Sequence, residues 1–436
     1  MIALSHLLVA AAIATAAPPD SVPRPITLEE AVALARRNAP EVVQAHGQRQ
    51  TSTAALRSAY AAFLPSLSLS AGSSRQLPSG GGRTRVENGQ VITLADEPWS
   101  FSMGLGADLT LFDGGRRFFD LRQAQARTRA ADANDTAQRY SATLAVKQQF
   151  FNILAALESE AAAQAQLDQA EQQFRVSVAR VRTGSATRSD SLRSEIQLRN
   201  ARLAVMDARN ALQTGNASLT RAVGTPYAVT AAPASSLEPS GIGLTEEALR
   251  DLAENGPAVR QARAALEAAR AARRGAWTSY LPSLTAGYSR SGTDTKSSFA
   301  PGSDDYSYSG SARLSLSLPL FNRLQREEQV TQAQVAEENA AAALRDALLA
   351  AREELAQSLG AFRSAEERVA SQVATVAAAE EDLRVQQQRY AVGGSTLLDV
   401  LTSQTQLNQA RRDLIRARYD QRLAKAQLEA LVGQEL

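Results

Sequence analysis

Two aspartates hold matching places in this 436-residue sequence. Asp190 ends the run Gly184-Ser185-Ala186-Thr187-Arg188-Ser189-Asp190, and Asp399 ends Gly393-Gly394-Ser395-Thr396-Leu397-Leu398-Asp399. Each run reads as a helix stop followed by a helix start. The glycine supplies a left-handed C-terminal residue. The Thr-x-x-Asp that follows predicts a capping box, with its acid in the first turn. Acid–base chemistry at these aspartates lacks partners. The chain has two histidines, His6 and His46, and no cysteine. A histidine triad, a zinc site, a disulfide and a cysteine nucleophile are therefore not expected. No carboxylate pair sits in an apolar context that would raise a pKa for proton transfer. Gly114-Gly115-Arg116-Arg117 lacks the spacing and the lysine of a phosphate loop. No catalytic residue, cofactor or metal is expected. The balance of 47 basic and 45 acidic residues gives no field for nucleic acid.

The elements that would carry these turns come from a duplication. Residues 29–67 match 246–284 at an offset of 217: Glu29-Glu30-Ala31 with Glu246-Glu247-Ala248, and Leu64-Pro65-Ser66-Leu67 with Leu281-Pro282-Ser283-Leu284. From Leu111 to Gly224 the offset is 209: Leu111-Phe112-Asp113 matches Leu320-Phe321-Asn322, and Val223-Gly224 matches Val432-Gly433. The organisation read from this is a signal peptide at 1–17, a first repeat at 18–224, a linker at 225–242 and a second repeat at 243–436. The signal rests on the apolar stretch 7–17 and Ala14-Thr15-Ala16 before Pro18-Pro19. The linker rests on Pro226, Pro233 and Pro239.

Each repeat reads as a helix (27–62 and 244–279), two strands around a polar loop, a very long helix (115–181 and 324–390), the glycine turn, and a returning helix. Thr27 and Glu30 suit a capping box for the first helix. Leu348, Leu355, Phe362, Val369, Val376, Leu383 and Tyr390 keep a strict period of seven. Such a period means supercoiling against neighbouring helices. Helices of that length extend roughly 100 Å and need partners throughout.

The strands have a period of two. Phe101, Met103, Leu105, Ala107 and Leu109 alternate with Ser102, Gly104, Gly106, Asp108 and Thr110, and Ala312, Leu314, Leu316 and Leu318 with small residues. Aromatic residues (Trp99, Trp277, Tyr280, Tyr306, Tyr308) cluster near strand ends. This is the pattern of a transmembrane β-barrel wall, and also that of a half-buried soluble sheet. Four strands cannot close a barrel, and an open edge in lipid is forbidden, so a spanning wall needs several chains. Pro65, Gly114, Gly115 and Pro282 mark the strand–helix transitions. The loops 77–97 and 293–305 are rich in Gly, Ser and charge.

With these features in place the sequence resembles the TolC family of outer-membrane factors. The resemblance rests on Thr27–Ala45, the twin Leu-Pro-Ser-Leu, Leu111–Arg117 and Ala391–Arg411, and it covers the whole mature chain. It implies a membrane α+β fold: four strands per protomer, twelve in a homotrimer, continued by a periplasmic coiled-coil helical barrel. It implies a passive outer-membrane exit duct for efflux or type I secretion, in contact with outer-membrane lipid. Its partners would be a periplasmic adaptor and an inner-membrane transporter. Tyr390 and Asp399 align with the family's tip tyrosine and constricting aspartate, and Asp190 takes the equivalent place in the first repeat. Gly184, Thr187, Val392, Gly393 and Thr396 are then expected to contact the adaptor. Ser395 stands where an arginine of the gate belongs and Thr402 where a second aspartate belongs, so a closed lock here is built differently. The alternative is a soluble periplasmic coiled-coil scaffold or adaptor, which leaves the duplicated strands unexplained.

Overall fold

The structure is a computed structural model that describes residues 23–75, 84–87, 89–93, 98–233, 241–299 and 305–436. The expected signal at 1–17 lies outside the described residues, as do parts of the 77–97 and 293–305 loops and of the 225–242 linker. The first repeat runs β1 (Arg24–Ile26), α1 (Leu28–Asn38), α2 (Pro40–Ala61), β2 (Ser66–Ser74), β3 (Thr84–Glu87), β4 (Gln90–Thr93), β5 (Trp99–Phe112), α3 (Arg116–Arg182) and α4 (Arg188–Val223). After β6 (Val229–Ala231) the second runs α5 (Glu246–Glu254), α6 (Pro257–Trp277), β7 (Ser283–Lys296), β8 (Ser307–Ser317), α7 (Gln325–Ala391) and α8 (Leu397–Val432).

The helix expected over 27–62 is two helices, broken at Ala39, and that over 244–279 breaks at Asn255-Gly256. Pro40 and Pro257 each open the second piece, where a missing N–H costs nothing. Thr27 caps α1 by accepting from the Glu30 amide at 3.2 Å, but the capping box is only half made. The Glu30 carboxylate pairs with Arg24 at 3.0 Å instead. β3 and β4 form a hairpin inside the 77–97 loop.

The chain divides into two compact units. Among the described residues the first comprises 23–48, 131–233, 241–261 and 345–436. Here β1 pairs in parallel with β6, a pairing with no sequence signal. β6 lies within the expected surface linker, yet Val229 and Ala231 are buried. They join Ile26, Val146, Phe150, Ile153, Leu219 and Val223 in one core. A second core gathers Leu249, Leu355, Phe362, Leu428 and Val432. Leu355 and Phe362 are members of the period-of-seven stripe, so the heptad pattern does select the packed face.

The second unit comprises 49–130 and 262–344. Its centre is a four-stranded antiparallel sheet in the order β2-β5-β7-β8. A register shift between Thr110 and Phe112 ends the β5–β7 ladder near the start of α3. Among the described residues no helix is long and apolar enough to cross a membrane.

Candidate functional site: the helical tips and the two-faced sheet

The two helix–glycine–helix turns belong to the first unit. Gly184 and Gly393 take φ values of 74° and 77°, the left-handed region that a side chain disfavours. Thr187 and Thr396 then start α4 and α8 from extended backbone. The Asp190 amide donates to Thr187 Oγ1 at 3.3 Å, while the Asp190 carboxylate accepts from the Thr187 amide at 3.0 Å and its hydroxyl at 2.8 Å. At the second turn the Asp399 carboxylate accepts from the Thr396 amide at 2.8 Å and its hydroxyl at 2.7 Å. These bonds favour the charged carboxylate. The Thr187 side chain, then its amide, hold Asp190 below the ordinary aspartate range. For Asp399 the Thr396 amide leads and the side chain follows. Both acids stay ionised in neutral water.

The tips differ in what they present. Gly184, Thr187, Val392, Gly393, Thr396 and Asp399 are exposed, whereas Asp190 is half-buried. Val392 is 85% exposed, which leaves its apolar side chain free for a contact. Tyr390 packs on the cluster of Leu383, Val400 and Leu407. The Arg180 guanidinium lies over its ring at 4.9 Å. The sequence reading missed Arg180. Its one signal was its place in the last turn of α3, where the helix dipole favours a cation.

The strand–helix corners belong to the second unit. Pro65 and Pro282 immediately precede β2 and β7, and Gly114 and Gly115 separate β5 from α3 with φ of 69° and 88°. In the second repeat Arg323 and Leu324 take the places of these glycines and keep the left-handed conformation, at 57° and 62°. Asp113 ties the first corner by accepting from the Gly115 amide at 3.1 Å and from Arg117 Nε at 3.0 Å. Its counterpart Asn322 makes no such pair, and Arg326 reaches the carbonyls of Pro319 and Leu320 instead. The aromatic support is kept in both copies: Arg117 stacks over Phe63 and Arg326 over Tyr280, at 5.1 and 4.8 Å.

The sheet has two chemically distinct faces. One carries Leu67, Leu69, Met103, Leu105, Leu109, Leu314 and Leu316, all in register across the strands. Leu67, Leu69, Leu314 and Leu316 are each at least 66% exposed, too much apolar surface to leave in water. Trp99, Phe101 and Phe299 cluster at one end of this sheet, and Trp277 with Tyr280 at the other. Apolar strands flanked by aromatic residues at both ends are suited to a bilayer core between two interfaces. The other face is built almost wholly from Ser, Thr and Gly.

Long helical hairpins joined to a two-faced sheet of four strands define a TolC-like outer-membrane channel. Comparison with known proteins agrees. Residues 31–225 and 248–434 each match the family model described as outer membrane efflux protein. Protein CyaE of Bordetella pertussis is 30% identical over 355 residues, covering 78% of this chain and 70% of its own length. The solved channel VceC of Vibrio cholerae superposes with a TM-score of 0.74 at 20% identity, over 94% of this chain and 96% of that one. The open-state channel MtrE of Neisseria gonorrhoeae gives 0.76 at 20% identity, over 93% and 89%. The chain belongs to the outer membrane efflux protein family. It is an exit duct of the outer membrane that extends into the periplasm, and the scaffold reading falls away.

Proposed function

We propose that this chain works as a homotrimer that passes cargo, handed over by a periplasmic adaptor and an inner-membrane transporter, through a shared twelve-stranded barrel. The carrying observation is that β2 and β8 are edges without a further strand among the described residues, on a sheet with an exposed apolar face. Unpaired backbone groups in hydrocarbon each cost several kcal/mol, roughly, so the edges must be paired by other copies. The helices make the same demand. Leu192, Ile196, Leu203 and Met206 form a stripe along α4, each at least half exposed. A stripe with this spacing is suited to a neighbouring helix.

At the tips, Asp399 would constrict the pore, with Asp190 and Tyr390 beside it, and Gly184, Thr187, Val392, Gly393 and Thr396 would meet the adaptor. Three ionised copies of Asp399 around a narrow axis would repel one another and favour cations. The exposure of Val392 and Thr396 supports the docking role. Electron microscopy of detergent-extracted protein from the outer-membrane fraction tests the assembly. Three-fold class averages are the expected result. A monomer with the sheet edges free in the detergent belt would overturn it.

A further inference from the structure

On the hydroxyl-bearing face of the sheet, all positions in register are Ser, Thr or Gly except two, Asp108 and Arg313. The exceptions share one rung. Ser66 pairs with Asp108, Asp108 with Gly287, and Gly287 with Arg313. Gly287 is what lets the two charges approach. A Cβ at this position would lie 2.9 Å from Asp108 Oδ1 and 3.6 Å from Arg313 Nη2. The carboxylate and the guanidinium therefore lean over the glycine from opposite sides, into the space a side chain would fill.

Serine side chains also close over the other glycines of this face. A Cβ at Gly106 would meet Ser68 Oγ at 2.9 Å, and one at Gly104 would meet Ser70 Oγ at 3.1 Å. Crowding of small residues marks the inside of a curved wall, as the alternation of a barrel requires. A hydroxyl wall is polar but carries no net charge, so it solvates cargo without sorting it. One rung with both signs is different. Low-dielectric walls focus its field, and screening at physiological salt confines that field to about 8 Å.

We propose that Asp108 and Arg313 form a two-signed charge rung in the barrel lumen, where the wall discriminates cargo by charge. It favours neutral and zwitterionic groups, which can offer an amine to Asp108 and an acid to Arg313, over ions of a single sign. The proposal rests on the reading of this sheet as a shared barrel wall.

The absence of cysteine makes a direct test available. Ser289→Cys places a single thiol on this face, two residues along β7 from Gly287 and between the two charged strands. Its reaction rates with cationic and anionic methanethiosulfonates, measured on the trimer in liposomes, report the local potential whatever the state of the tip. Asp108→Asn should lower the cation-to-anion rate ratio about two- to threefold, and Arg313→Gln should raise it by a similar factor. The double variant should return it to the starting value. A neutral thiol reagent checks that each variant keeps its barrel. Ratios that do not move, or that move in the same direction in both variants, overturn the charge rung while leaving the duct intact. Reaction of Leu69→Cys with the charged reagents, with Ser289→Cys inert, would overturn the barrel reading itself.

Discussion

The guanidinium of Arg180 stands 4.9 Å from the centre of the Tyr390 ring, tying the last turn of α3 to the last turn of α7. The two residues come from different repeats. Ser395, where the resemblance would place an arginine, donates back to the Gln386 carbonyl of α7 at 3.3 Å. The Tyr390 ring is covered by Arg180. An exposed cation–π pair contributes about 0.5–1 kcal/mol, a factor of roughly two to five in an equilibrium. Arg180→Gln and Tyr390→Leu should each raise the open fraction of single channels in planar bilayers by about that factor. Identical open fractions in wild type and both variants would rule out a latch.

Asp399→Asn keeps the size of the side chain and an oxygen for the Thr396 amide but removes the charge. If three copies line the constriction, the variant loses cation preference without losing the tip fold. The reversal potential under a salt gradient measures this. A potential unaltered by the substitution would place Asp399 away from the conduction path.

The capping box at Thr187 carries a pH dependence. Asp190 has its pKa lowered by the hydroxyl and amide of Thr187, so it stabilises the start of α4 only while charged. That stabilisation is complete above the ordinary aspartate value of 3.8 and is lost as pH falls through the depressed folded value. Comparing wild type with Thr187→Ala at one pH cancels intrinsic exchange rates. Amide exchange over 188–195 should be on the order of threefold faster in the variant at pH 6. The difference should shrink as falling pH protonates Asp190, leaving the share due to the bond from the Asp190 amide to Thr187 Oγ1. A difference that does not shrink with pH would mean that the carboxylate half of the box is not a source.

The second-repeat corner offers a stabilising change. Arg323 and Leu324 occupy a left-handed conformation that costs a non-glycine residue about 1 kcal/mol. The neighbouring Asn322 Oδ1 and Arg326 Nε are buried with no hydrogen-bond partner. Leu324→Gly and Asn322→Asp each move the corner toward its first-repeat counterpart. Both should raise the thermal unfolding temperature of the trimer, and Gly114→Ala should lower it. In the last, a Cβ would meet the Thr278 carbonyl at 2.9 Å. Scanning calorimetry decides, and a lower temperature for Leu324→Gly would show that the corner is not strained.

Leu219 and Leu428 are equivalent residues of the two repeats, and both are fully buried. Leu→Ala at either site should destabilise by about 2–5 kcal/mol. Chemical denaturation of the two single variants should therefore give similar losses. A negligible loss at one site would show that the cores are unequal supports.

Much of this was legible in the sequence. The glycine stops and Thr-x-x-Asp boxes work through residues three apart, so local sequence specifies them completely. The period of seven in α7 and the period of two in β5 likewise report the buried side of each element. What stayed hidden depends on residues far apart. β1 and β6 are three residues each and pair across two hundred positions, with no periodicity to announce them. Arg180 acquires meaning only beside Tyr390. The Asp108 rung required the register, since Arg313 belongs to it only through the pairing of both strands with Gly287. The left-handed pair Arg323-Leu324 was invisible because the reading looked for glycine, whereas the geometry is set by the joint between sheet and helix.

That joint shows what it means to carry both copies in one polypeptide. A ring made from six identical half-length chains would have to accept any substitution at six places at once. Here an amino acid can change in one half while the other keeps a different solution, as Arg323-Leu324 and Gly114-Gly115 do. The same freedom extends to the tips. Arg188 follows the capping threonine in one half, and the buried Leu397 follows it in the other. The two hairpins of one chain are thus free to present different surfaces.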